Sequence, residues 1–308
     1  MADSEVIGRF APSPTGPLHF GSLVAALGSY LFARSVGGHW LLRIDDLDQP
    51  RVIPGMADDI QRTLESLGFT WDGDPVWQSR RSETYQAALE RLKETGRIYS
   101  CGCSRSEIAR IATAPHGKGD ELAYPGICRS GIADGKEPRA VRIRVVEEPV
   151  CFSDGIAGEQ CQNLAEVCGD FVVRRADGLF AYHLATVVDD ATAGVNQVVR
   201  GADLLFSTPR QIYLQKLLGI CQPDYFHLPL VSAPDGAKLS KRDNAVSLAA
   251  NRNLSIDGGA LLLAALGFLG QPTADLPVKA APAEILRQAT VNFAPEKIPA
   301  TGGPFPEH

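Results

Sequence analysis

Between Glu5 and Ile44 the apolar rhythm changes twice: every second residue to Phe10, every third or fourth from Ser22 to Ser35, and every second again from Trp40 to Ile44. Residues two apart share one face of a strand, and residues three and four apart share one face of a helix, so this opening predicts a βαβ unit. Two strands joined through a helix run parallel, and a parallel sheet is stable only with both faces covered. Helical patterns then run from Pro54 through Met56, Ile60, Leu64 and Leu67 to Gly68, and from Ser82 to Glu94. The expectation is an α/β chain with a Rossmann-like, doubly wound parallel sheet.

From Ser100 to Arg139 the texture becomes loop-rich, with Cys101, Cys103 and Cys128 and little periodicity, as an inserted module would show. Strand patterns return at Ala140–Val145 and Asp170–Arg174, and Ala176-Asp177-Gly178 reads as a hairpin turn into a strand over Leu179–Ala185. Helical patterning follows at Asp203–Leu218, Ile256–Leu266 and Ala283–Gln288, before a Pro- and Gly-rich end expected to fray. The expected organisation is 1–98 as the first half of the catalytic domain and 99–139 as the inserted module. Residues 140–232 complete the insertion and the catalytic domain, and 233–308 form a cationic loop and a short helical C-terminal region. No internal repeat is visible.

The composition, 44% hydrophobic and 21% charged, is that of a globular chain with a sizeable core. A net charge of -6 excludes a protein that coats nucleic acid non-specifically, which would need many clustered cations. The richest apolar run, Ala260–Leu269, falls short of the roughly 18 residues of a membrane span, and Met1–Pro12 lacks the form of a signal peptide. A soluble, cytoplasmic protein, a monomer without membrane partners, is expected. Seven cysteines in a chain of this length suit free thiols and a metal site in a reducing compartment better than a disulfide framework.

Two segments carry the chemistry. Arg9-Phe10-Ala11-Pro12-Ser13-Pro14-Thr15-Gly16-Pro17-Leu18-His19-Phe20-Gly21-Ser22 lies between the first strand and the first helix, where open α/β sheets bind ligands. Gly21 allows close approach to the backbone, Ser22 is a candidate helix cap, and His19 can donate to a phosphate oxygen. Downstream, Lys238-Leu239-Ser240-Lys241-Arg242 puts cations on a glycine-flanked loop, suited to charge developing on a leaving pyrophosphate. In the insertion, three thiols leave a tetrahedral metal one ligand short, and spacing alone makes His116 a candidate for the fourth place. Ser104 and Glu107 form a capping-box pattern that starts a helix directly after Cys103. Cys151, Cys161, Cys168 and Cys221 are expected to be unpaired core or surface thiols.

Together, His19-Phe20-Gly21-Ser22 and Lys238-Leu239-Ser240-Lys241-Arg242 resemble the paired signatures of class I aminoacyl-tRNA synthetases, with Ser22 and Arg242 departing from the usual residues. Arg43-Ile44-Asp45-Asp46-Leu47-Asp48, Ala181-Tyr182-His183-Leu184-Ala185, Val187-Val188-Asp189-Asp190 and Val198-Val199-Arg200-Gly201 are similar to the glutamyl branch. The resemblance implies a ligase with a class I catalytic core that activates L-glutamate with ATP and Mg2+. It implies His19, Lys238 and Lys241 as catalytic, with Gly16, Gly21, Ser22 and Ser240 joining them around ATP. Glutamate would be held by Arg9, Ala11, Ser13, Asp45, Tyr182 and Arg200, Asp45 standing where the family pattern has Glu. Cys101, Cys103, Tyr124 and Cys128 match the ligand spacing of the subfamily that glutamylates queuosine, which implies a structural Zn2+ and the queuosine-containing tRNA(Asp) as partner. Residues 243–308 are too few for a further domain of usual size, which favours that acceptor over the tRNA(Glu) end used by a compact charging enzyme, or a non-catalytic tRNA-binding role.

Overall fold

A computed structural model describes residues 5–111, 123–232, 247–249, 253–274, 276 and 280–304. In the first half, strand β1 (Ile7–Phe10), helix α1 (Phe20–Arg34), strand β2 (His39–Ile44), helix α2 (Met56–Ser66), strand β3 (Val76–Trp77) and helix α3 (Ser82–Glu94) follow one another. β1, β2 and β3 pair in parallel in that order. After them come β4 (Ile98–Cys101), α4 (Arg105–Ile111), β5 (Ala140–Ile143), β6 (Val150–Asp154), β7 (Gly158–Gln162), α5 (Leu164–Val167) and β8 (Val172–Arg174). The rest comprises α6 (Tyr182–Thr192), β9 (Gln197–Gly201), α7 (Thr208–Leu218), β10 (Asp224–Leu228), β11 (Val231–Ser232), α8 (Leu254–Phe268), α9 (Pro282–Val291) and β12 (Gly303–Pro304).

β9, β10 and β6 are parallel neighbours, with β7 antiparallel at the edge. Asn196, just before β9, ties this sheet to the first: its amide donates to Ile7 O at 3.1 Å, and its Oδ1 accepts from the Ile7 amide at 2.9 Å. β1 and β9 therefore lie side by side, and the chain winds outward from them in both directions. The largest apolar core joins α1, α2, α8 and α9 with β1 and β2, and a second core joins α3, α6 and α7 with β5 and β8. Trp40, fully buried, anchors the first core by stacking on Phe10 and Phe69 and donating Nε1–H to Ser29 Oγ at 3.0 Å.

Four expectations are corrected. The segment from Leu179 does not form a strand: Arg174 and Phe180 make an isolated bridge, and α6 begins at Tyr182, which is 39% exposed. The apolar run Leu184–Val188 reads equally as buried helix or buried strand, and tertiary packing decided for helix. The helix cap of α1 is His19 rather than Ser22, because burial of Phe20 draws the helix start forward. Cys151 and Cys161 are not free: β6 and β7 form an unforeseen hairpin that sets them directly opposite, 4.1 Å apart at Cα, and they are disulfide-bonded. Nor does the described end fray, since Ile298 is buried and β12 pairs in parallel with β11.

Candidate active site

A cavity of about 570 Å³ opens at the carboxyl ends of β1, β2 and β9, where the winding direction reverses. Its lining brings together Arg9, Ala11, Ser13, Gly16, His19, Gly21, Ser22, Asp45, Tyr182 and Arg200. Every described residue that sequence reasoning placed around ATP or glutamate thus shares one cavity. Arg43, Asp203 and Val231 line it as well.

At the α1 end of the cavity, His19 Nδ1 accepts from the Ser22 amide at 3.4 Å. An accepting Nδ1 places the neutral ring's proton on Nε2, so His19 is a donor on its outer edge. Gly21 leaves room for the His19 ring: a Cβ there would stand 3.1 Å from it, a tight contact. Lys238, Ser240, Lys241 and Arg242 lie outside the described residues. On either side of that segment, Val231 lines the cavity and the Leu248 amide donates to Leu18 O at 3.0 Å, beside His19.

The opposite wall is a buried charge network. Arg9 donates through Nε to Asp190 at 3.2 Å, and Arg43 donates to the same Asp190 oxygen at 2.5 Å and to Asp45 at 2.6 Å. Asp189 is held by Gln78 at 2.8 Å, Arg81 at 2.6 Å and the Tyr85 hydroxyl at 2.8 Å. Burial works against the charge of Arg43, but Asp45 and Asp190 outweigh it and keep the guanidinium protonated more firmly than usual. Burial also resists ionisation of Asp190, and Arg9 and Arg43 prevail to hold it below the ordinary carboxylate range. At Asp45 burial wins, pushing the carboxyl above that range despite Arg43. Asp189 and Asp190 were visible only as part of a resembling motif; that they brace the arginines is seen in the contacts α6 makes with Arg9 on β1 and Arg43 on β2.

Arg200 lies on β9, the strand beside β1. Its Nε lies 3.2 Å from His227 Nε2 and its Nη2 donates to Thr208 Oγ1 at 2.8 Å, while its buried Nη1 has no hydrogen-bond partner among the described residues. His227 and Asp154, which meet at 2.5 Å, were missed in the sequence, where they are 73 residues apart in unremarkable strand patterns. Guanidinium groups on adjacent strands of one cavity, with a carboxylate nearby, suit a ligand with two carboxylates and one ammonium.

A second cluster lies in the module at the end of β4. The sulfurs of Cys101, Cys103 and Cys128 all fall within 4.8 Å of one another, Cys103 and Cys128 being 3.5 Å apart. The Tyr124 hydroxyl is 3.4 Å from Cys101 Sγ and 3.6 Å from Cys103 Sγ. Bond lengths of about 2.3 Å to sulfur and 2.0 Å to oxygen around a tetrahedral zinc give edges of roughly 3.8 and 3.5 Å, so the donor set fits such an ion. Arg142 adds a cation, 3.8 Å from the Tyr124 ring centre and 3.4 Å from Cys101 Sγ. Gly169, at φ 61°, lets the Tyr124 backbone pass where a Cβ would sit 2.1 Å from its carbonyl. The Ser104–Glu107 box forms, with the Ser104 amide donating to Glu107 at 2.7 Å and the Glu107 amide to Ser104 Oγ at 3.3 Å. His116 lies outside the described residues.

Comparison with known proteins places the whole chain in a family. Residues 5–299 match the family described as tRNA synthetases class I (E and Q), catalytic domain. A Geobacter sulfurreducens protein named glutamyl-Q tRNA(Asp) synthetase is 64% identical over 301 residues, 97% of this chain and 96% of that one. Its namesake in Dechloromonas aromatica is 53% identical over 292 residues, 95% of each chain. Among solved structures, glutamate-tRNA synthetase from Elizabethkingia anophelis superposes with a TM-score of 0.80 at 28% identity, covering 98% of this chain and 68% of that one.

Proposed function

The chain belongs to the class I (E and Q) tRNA synthetases, and on that premise we propose that it activates L-glutamate with ATP and transfers the glutamyl group to queuosine in tRNA(Asp). The observation that carries the activation step is the cavity at the β1/β9 switch point, where Arg9 and Arg200 come from separate strands beside the N-terminus of α1. The acceptor is supported by 64% identity across nearly the whole chain to a protein bearing that name.

In this reading ATP, with Mg2+, lies along the loop at Gly16 and Gly21, its phosphates facing the α1 amides at Ser22 and the Nε2–H of His19. Arg9 and Arg200 take the glutamate carboxylates, with hydrogen bonds from Ser13 and Tyr182 and with Ala11 contributing backbone. Asp45, oriented by Arg43, receives the α-ammonium. A carboxylate oxygen attacks the α-phosphorus and pyrophosphate leaves; Lys238 and Lys241 are assigned to its developing charge, with Ser240 at the same phosphates. A hydroxyl of the queuosine cyclopentenediol then attacks the acyl carbon, forming the ester as the bond to AMP breaks. No enzyme-bound covalent intermediate is needed, so the protein's work is positioning and charge stabilisation. Cys101, Cys103, Tyr124 and Cys128 are assigned to a structural Zn2+ that cross-links the module.

The test supplies purified protein with ATP and labelled glutamate and compares tRNA(Asp) with queuosine, tRNA(Asp) without it, and tRNA(Glu). Label on the queuosine-bearing RNA alone is expected. Label on tRNA(Glu) would replace the acceptor while keeping the activation chemistry, and no pyrophosphate exchange with glutamate would remove both.

A further inference from the structure

His227 and Asp154 have no part in the chemistry above, yet they are 1% and 3% exposed. Asp154 ends β6, where the chain turns into β7. Its Oδ1 accepts from the amides of Ile156 at 3.0 Å, Ala157 at 2.8 Å and His227 at 3.2 Å, which leaves Oδ2 for His227 Nδ1 at 2.5 Å. Across the imidazole, Nε2 meets Arg200 Nε at 3.2 Å and Thr208 Oγ1 at 3.0 Å.

These contacts fix the tautomer of the ring. A guanidinium has donors only, so Nε2 must accept from Arg200 and the ring proton must sit on Nδ1, donated to Asp154. Thr208 Oγ1 accepts from Arg200 Nη2 at 2.8 Å, and its own proton has two acceptors in reach, Leu204 O at 3.2 Å and His227 Nε2 at 3.0 Å. Burial, with the Arg200 charge beside it, holds His227 below the ordinary histidine range in spite of Asp154, so the ring stays a neutral acceptor. Burial would raise Asp154, but His227 and the Ala157 amide hold it below the ordinary carboxylate range. With Nε and Nη2 tied, the remaining Nη1 of Arg200 is the buried nitrogen without a partner among the described residues, in a side chain that lines the cavity.

We propose that Asp154 and His227 are positioning residues that lock the Arg200 guanidinium in the orientation that receives a substrate carboxylate. Selection of glutamate over glutamine then depends on two side chains that do not touch the substrate. The idea rests on Arg200 being a carboxylate-binding residue, as assigned above. A donor group displaced by one rotamer loses a charge-assisted, paired hydrogen bond, and outer residues of this kind hold catalytic and binding groups to within a fraction of an ångström.

The experiment measures L-glutamate affinity by calorimetry and by ATP–pyrophosphate exchange, with L-glutamine as comparator, in Arg200→Ala, His227→Leu, His227→Gln, His227→Asn and Asp154→Asn. His227→Leu should raise the glutamate KM roughly 10- to 100-fold, leave the ATP KM within about twofold and narrow the glutamate-to-glutamine ratio. His227→Gln, whose amide oxygen reaches the Nε2 position, should recover most of the affinity, and His227→Asn, which reaches only the Nδ1 position, should not. Asp154→Asn should shift glutamate affinity in the same direction by less. Wild-type glutamate affinity in a folded His227→Leu protein, alongside a defective Arg200→Ala, overturns the proposal and leaves the site reading intact. Should His227→Leu not fold, equal glutamate affinity in the Gln and Asn variants overturns it. An Arg200→Ala protein with unchanged glutamate affinity instead sinks the assignment of Arg200 itself.

Discussion

Asp190→Asn isolates charge from shape in the wall that carries Arg9. Asparagine keeps the side-chain outline and a carbonyl acceptor, so Arg9 and Arg43 can still donate to it; what disappears is one negative charge. In the native wall Arg9, Arg43 and Arg81 face Asp45, Asp189 and Asp190, an even balance of three against three. The substitution leaves one excess positive charge where Arg9 and Arg43 are each 5% exposed. Charge centres about 4 Å apart attract by about 4 kcal/mol per pair at an effective dielectric of about 20. Most of that gain offsets desolvation in the native protein, and removing one partner exposes the desolvation term, at a typical cost of about 3–5 kcal/mol. Urea unfolding at pH 7 is expected to lose that much stability with the slope unchanged, and the glutamate KM should rise as Arg9 loses its brace. Saturating L-glutamate or sulfate should return more stability to the variant than it adds to the wild type, because an anion restores the balance. The acid limb changes too. Since the Asp190 carboxyl lies below its unfolded value of about 3.9, its contribution is present above that pH and fades as pH falls toward the folded value. The variant should lose less over that window. An unfolding midpoint equal to wild type, with no anion effect, would refute the reasoning that charge balance holds this wall together.

Lys241→Ala should lower pyrophosphate exchange by about 10²-fold or more with unaltered circular dichroism, as expected for a donor acting on developing charge; wild-type exchange would remove Lys241 from the mechanism. Cys103→Ser and Tyr124→Phe should each reduce zinc content by plasma mass spectrometry and lower the unfolding midpoint, and a stoichiometry unaffected by Tyr124→Phe would return the fourth place to another residue. His183 is pushed down to about 3 by burial and by the charges of Arg210 and Arg200, and its Nδ1 is buried without a hydrogen-bond partner among the described residues. Its folded value lies below the unfolded value of about 6.5, so the unfolded chain binds the extra proton and stability falls as pH drops below 6.5, by about 1.4 kcal/mol at pH 5.5. In His183→Gln that part of the decline between pH 7.5 and 5.5 should vanish from urea titrations, and an unchanged decline would place the proton elsewhere.

Periodicity was sufficient where one face of an element is buried and the other is not. The helix over Ser82–Glu94 is found at those bounds, and α2 carries Ile60 and Leu64 inward as its spacing demands. It failed over Leu179–Ala185, read as a strand, because α6 starts at Tyr182 and from Leu184 to Asp190 is buried all round, where neither period leaves a mark. It also failed at the β6–β7 hairpin: Cys151 and Cys161 are exposed positions whose register comes from the partner strand.

The cavity-lining loop residues Gly16, His19 and Gly21 were legible because they are close in sequence and their features are local: a tight turn and a helix start. The same is true of the thiol spacing and of the capping box that seats the second thiol. What only the folded chain decided is how charges distant in sequence compensate one another. Asp190 meets Arg9 across 181 residues, and Asp154 reaches Arg200 through His227. Each such pair is set by which strand lies beside β1 and which helix packs beneath it, and buried charge is tolerable only where that packing supplies an opposite partner at hydrogen-bond distance.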